Sequence, residues 1–105
     1  MRMWMVEPDK MCRQHLLGEH VEIHKFRHNF VKKHNMLKRI ELNQIEPYSM
    51  EERHDRLVSE MLRRGYNHKS PYFQPDVTYL PNNKINVEKS YQDLLERCEE
   101  CRKRK

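Results

Sequence analysis

Only 22 of the 105 residues are Leu, Ile, Val or Phe, and this scarcity constrains the fold more than any motif does. About a fifth is close to the fraction below which a charged chain stays disordered, because too little apolar surface leaves water to offset the lost chain entropy. A chain of this length folds as one domain and buries about two-thirds of its unfolded surface. One domain over residues 1–105 is therefore expected. Seven Met, five Tyr and one Trp must share its packing, and a metal or a partner would add what the aliphatic core lacks.

The apolar positions that exist are spaced for helices. Cys12, Leu16, Ile23, Phe26 and Phe30 recur at three, four or seven residues, which predicts one long amphipathic helix from Pro8 to about Lys33, with Asp9 as its cap or first-turn acid. Met1 to Val6 carries no such stripe and reads as an extended arm. Gly18 weakens the helix by about 1 kcal/mol relative to Ala, which points to close packing or a nearby ligand. His34 to Tyr48 is irregular. Ser49-Met50-Glu51-Glu52 has the form of a capping box opening a second helix, whose apolar face is Met50, Leu57, Val58, Met61 and Leu62 and which Gly65 terminates. Pro71, Pro75, Pro81 and Asn82-Asn83 make Tyr66 to Asn86 an ordered loop. A third helix starts near Asn86 or Val87, with Val87, Tyr91, Leu94, Leu95, Cys98 and Cys101 on one side. The expected fold is all-α, a small three-helix domain with long irregular loops.

A formal net charge of +5 and a pI near 9.2, with Lys25, Lys32, Lys33, Lys38 and Arg39 close together, favour nucleic acid as partner. No apolar run approaches the roughly 18 residues a membrane span needs, and the N-terminus carries no signal-like apolar stretch. A cytoplasmic monomer without membrane partners is the expectation. Three cysteines, an odd number, suit reduced thiols or metal ligands better than disulfides.

Three groupings carry possible chemistry. His15, Glu19 and Glu22 stand at i, i+4 and i+7 along one helical stripe, where imidazole and carboxylate can act as acid, base or electrostatic stabiliser; the bland alternative is a wet helix face. His20, His24 and His28 form a second row, read as a solvated face or as phosphate contacts because no acidic or cysteine ligand accompanies them. Cys12-x-x-His15 and Cys98-x-x-Cys101 each span one helical turn, so two facing helices could complete a Cys3His site for structural zinc; buried apolar cysteines are the alternative.

Gln14-His15-Leu16 followed by Glu19 and Glu22, and later Arg63-Arg64-Gly65-Tyr66-Asn67, resemble the pyrimidine-dimer DNA glycosylase family typified by bacteriophage endonuclease V, over Met1 to about Asn67. The resemblance implies cleavage of the glycosidic bond at a cyclobutane pyrimidine dimer in duplex DNA, followed by nicking at the abasic site, with no cofactor required. It places Met1, through its backbone α-amine, as nucleophile and Glu22 as the catalytic acid. It also places Arg2, His15 and Lys25 at the DNA, and Lys32 and Lys33 are added as phosphate contacts. An α-amine has a reference pKa near 8, which Arg2 beside it would lower further. The competing expectation is a non-enzymatic, zinc-stapled nucleic-acid-binding module held by Cys12, His15, Cys98 and Cys101.

Overall fold

A computed structural model describes residues 2–68 and 71–104. It is all-helical, with no strand among the described residues: α1 (Arg13–Val31), α2 (Leu37–Glu41), α3 (Met50–Arg63), α4 (Val87–Arg97) and α5 (Glu99–Arg102), plus 3-10 turns at Pro8–Lys10 and Pro47–Ser49. Three of these helices are long, as the periodicity predicts, and α1 packs against α3.

The helix ends depart from expectation for local reasons. Helix α1 begins at Arg13 rather than Pro8, because the Cys12 thiol caps it, accepting from the His15 N–H at 3.5 Å; Pro8 and Asp9 belong to the separate turn. Ser49 precedes α3 but forms no capping box, since its hydroxyl donates to Glu46 Oε1 at 2.8 Å. Helices α1, α2 and α3 close alike. A left-handed residue, Lys33, Asn43 or Gly65, follows the last turn, and paired backbone bonds run back to the helix, from Tyr66 N–H to Met61 C=O at 2.9 Å and from His34 N–H to Asn29 C=O at 2.9 Å. Glycine and asparagine adopt that conformation easily, whereas Lys33 carries a Cβ penalty of about 1–2 kcal/mol. The predicted third helix breaks at Cys98, whose extended backbone lets its sulfur accept from the Cys101 N–H at 3.4 Å.

The core answers the shortage of aliphatic residues with methionine. Met3, Met11 and Met50 are fully buried beside Leu16, Ile23, Phe26, Ile45, Leu57 and Leu94. Leu62 and Val87, expected on apolar faces, point outward. The described part of the N-terminal arm has no helix before Pro8, passes through a left-handed residue at Met5, and is also core. Met3 N–H donates to Gln44 C=O at 2.7 Å, Trp4 C=O accepts from Ser90 Oγ at 2.6 Å, and Met3, Trp4 and Val6 are buried. Glu60 braces the other side: Arg63 and Arg64 hold its carboxyl down to about 2, and Arg64 also donates to Pro8 C=O and Met11 C=O. The stretch after α3 has no helix among its described residues before Val87. It is pinned by Tyr48 Oη donating to Leu80 C=O at 2.9 Å and by buried Val77, Leu80 and Ile85.

Candidate active site

The stripe His15, Glu19, Glu22 lines a cleft of about 320 Å³ together with Arg2, Trp4, Gln14, Gly18 and Arg97. Its three side chains have separate fates. Glu19 is withdrawn into the α1–α3 interface, where Arg53 grips it with two charge-assisted bonds, Nε to Oε2 at 2.6 Å and Nη2 to Oε1 at 2.9 Å, both side chains being almost fully buried. His15 turns Nδ1 toward sulfur, 3.2 Å from Cys12 Sγ and 3.8 Å from Cys101 Sγ, with its ring edge-on to Trp4. Glu22 alone is uncommitted: its Oε2 is shielded from solvent and finds no hydrogen-bond partner among the described residues. A carboxylate held so, open to a cleft, is poised to receive a cation or a donor from whatever enters.

Arg2 reaches the same cleft and is anchored there. Its Nη2 donates to Ser90 Oγ at 3.0 Å, Asp93 lies 3.7 Å from Nη1, and the guanidinium sits 4.4 Å over the Trp4 ring. Arg97 supplies a second cation at the rim. Gly18 does not serve close helix packing, because a Cβ there would meet nothing within 4 Å; it opens onto the cleft instead. Met1, the expected nucleophile, lies outside the described residues. Lys25, Lys32 and Lys33 are exposed and do not line the cleft; Lys33 Nζ stands 4.9 Å over the Tyr79 ring. The described residues thus bring Arg2, His15 and Glu22 together and leave the three lysines on the outer surface.

Cys12, His15, Cys98 and Cys101 do converge, with one ligand atom from each lying within 4.8 Å of the others. The Cys12 and Cys98 sulfurs are 3.7 Å apart, close to the edge of about 3.8 Å that a tetrahedron of ~2.3 Å zinc–sulfur bonds requires. All three thiols are free and buried. Burial raises the Cys98 thiol, but hydrogen bonds from Cys101 and Cys12 outweigh it and leave the group below its ordinary value, whereas burial pushes Cys101 up to about 12. The backbone N–H of Cys12 also points at Cys101 Sγ, 3.3 Å away, so the cluster is built to receive charge on sulfur. These four residues could hold a metal ion.

The second histidine row divides, which corrects its reading as a solvated face. His20 and His24 turn inward, and only His28 is exposed, because each step of four residues advances 40° around a helix. His54 of α3 and His68 join the inward pair. Burial, then the neighbouring imidazoles, push His20 down to about 4, and His24 is lowered for the same reasons. Sequence reasoning missed Arg53, His54, His68, Trp4 and Arg97. A signal existed for the first two: both lie between Met50 and Leu57 on a face that helical periodicity already turned inward.

The model of one family, described as pyrimidine dimer DNA glycosylase, matches residues 1–74. No curated relative and no solved structure matches the chain. The family match holds the whole cleft-lining stripe of α1 and ends ahead of α4 and the Cys98–Cys101 pair.

Proposed function

This chain belongs to the pyrimidine dimer DNA glycosylase family, and from that premise we propose that it cleaves a glycosidic bond at cyclobutane pyrimidine dimers in duplex DNA and then nicks the strand as a β-lyase. The α-amine of Met1 is the nucleophile in this reading. It attacks C1′ of the damaged nucleotide, the base departs with the electron pair of the glycosidic bond, and the sugar ring opens to an imine. Loss of a C2′ proton then expels the 3′ phosphate, and water hydrolyses the imine to release the enzyme. Glu22 stabilises the cationic sugar as the base leaves and shuttles protons in the later steps.

One observation carries the reading. Of the two carboxylates in the stripe, Glu19 is neutralised by Arg53, and Glu22 keeps a shielded oxygen with no partner among the described residues, in a cleft that Arg2, the residue after Met1, also lines. Arg2 and Arg97 give the cleft the positive rim that a phosphodiester requires. Lys25, Lys32 and Lys33 extend the basic surface along α1 and its C-terminal turn, and His15 contributes its ring to the cleft wall. In the same reading Cys12, His15, Cys98 and Cys101 hold a structural zinc that ties the start of α1 to α5, so the metal supports the fold and takes no part in the chemistry. No helix is long and apolar enough to cross a membrane, and three free thiols suit a reducing, cytoplasmic compartment.

A duplex carrying a single site-specific dimer tests the proposal. Strand scission at the dimer by the wild-type protein, lost in Glu22→Gln while duplex binding persists, is the expected result. Binding without scission of either dimer-containing or abasic duplex would leave a non-enzymatic DNA-binding module in its place.

A further inference from the structure

Four of the seven histidines meet at one point. His20 and His24 stand one turn apart on α1, His54 comes from α3, and His68 from the segment that follows Gly65. Ring centroids lie 4.7 Å apart for His20 and His24, 5.0 Å for His20 and His54, and 4.9 Å for His20 and His68. One ring nitrogen of each lies within 4.8 Å of the others. The Nε2 atoms of all four are shielded from solvent, and none has a hydrogen-bond partner among the described residues.

Lone pairs aimed at a common point repel one another unless a cation lies between them. A shared proton does not meet the need here, because none of these nitrogens is hydrogen-bonded to another. The tautomer is set from outside: His54 Nδ1 lies 3.1 Å from Asp55 Oδ1, so the proton sits on Nδ1 and the Nε2 lone pair faces inward. Tyr72 stacks on His54 at 5.0 Å and meets His24 edge-on at 5.9 Å, closing the cluster from the outside.

We propose that His20, His24, His54 and His68 bind one divalent transition-metal ion of the zinc class through their Nε2 atoms. Neutral imidazoles suit zinc, copper, nickel or ferrous iron, and the absence of oxygen donors from the set disfavours magnesium and calcium. With four protein ligands the shell is full, so the ion fastens α1, α3 and the segment after α3 together rather than activating water. It shares no ligand with the cysteine cluster and stands independently of the glycosylase reading.

Cobalt(II) is the probe. Reduced, chelator-stripped protein is titrated with cobalt and followed from the near ultraviolet to the visible, where sulfur ligation gives strong charge-transfer bands and four imidazoles give ligand-field bands without them. The comparison is with His24→Phe/His68→Phe, which keeps an aromatic ring at each position and removes two donors. The wild type is expected to take up about one equivalent more than the variant, and the nitrogen-only bands should vanish in the variant while any sulfur bands remain. Equal uptake by the two proteins overturns the proposal. Should the double variant fail to fold, His68→Phe, which alters no helix, serves instead; absence of nitrogen-only bands from the saturated wild type overturns the proposal without any variant.

Discussion

Arg53 reaches across from α3 to clamp Glu19 with bonds of 2.6 and 2.9 Å, and one helical turn further along α1 the carboxylate of Glu22 keeps an oxygen with no partner among the described residues. The same residue type on the same stripe is ion-paired at one position and, among the described residues, without a partner for one oxygen at the next. Arg53 of α3 meets Glu19, whereas Glu22 faces the cleft lined by Arg2, Trp4 and Arg97.

Arg53→Met should therefore be strongly destabilising, by about 3–5 kcal/mol, because it strands a buried carboxylate. Adding Glu19→Gln should recover much of the loss. Glu22→Gln, by contrast, should leave stability within about 0.5 kcal/mol of the wild type or raise it, since its Oε2 has no bond to any described residue to lose. Urea denaturation of the wild type and these three variants measures all three effects. A loss above about 1 kcal/mol in Glu22→Gln would make Glu22 a structural residue.

Gly18→Ala separates packing from function. Its Cβ would meet nothing within 4 Å, so helix propensity should raise stability by up to about 1 kcal/mol. The added methyl projects into the cleft and should lower kcat/KM on dimer-containing duplex. A stabilised variant with unchanged kcat/KM would show that substrate does not approach this wall.

The long-range pairings were the illegible part of the sequence. Periodicity in Leu16, Ile23, Phe26 and Phe30 located α1, and Gly65 located the end of α3, because each signal is local and the side chain or backbone need is met within a turn. Glu22 and the four residues of the cysteine cluster were also within reach of spacing and resemblance. The partner of Glu19 is 34 residues away, and the histidines that complete the inward row come from α3 and the stretch beyond it. No periodicity on α1 can report what α3 presents to it. The break at Cys98 was hidden for a related reason: Cys98 and Cys101 continue a helical stripe, and only the interruption between α4 and α5 lets Cys98 cap α5 while both sulfurs face Cys12.

Affinity should depend on the C-terminal turn of α1. Because Lys33 is left-handed, Lys33→Asn, paired with Lys32→Ala, removes both charges without adding backbone strain. Binding to any duplex should weaken, and the slope of log affinity against log salt should fall by about one unit for each phosphate that is no longer neutralised. An unchanged slope would remove these lysines from the interface.

Elemental analysis tests the sulfur site. Wild-type protein purified without added metal should carry about one equivalent of zinc more than Cys98→Ser, and chelation should lower the melting temperature of the wild type more than that of the variant. Equal zinc content would leave Cys12, Cys98 and Cys101 as core residues.

The central claim is that the α-amine of Met1, assisted by Glu22, performs the chemistry, and borohydride trapping tests it most directly. Protein whose intact mass places Met1 at the mature N-terminus is incubated with duplex DNA bearing an abasic site and reduced. The predicted product is a stable protein–DNA adduct that maps to the α-amine of Met1. It should be lost when that amine is acetylated, or when one added residue displaces it by about 3.5 Å. An adduct that persists with a blocked N-terminus and maps to a lysine would contradict the account.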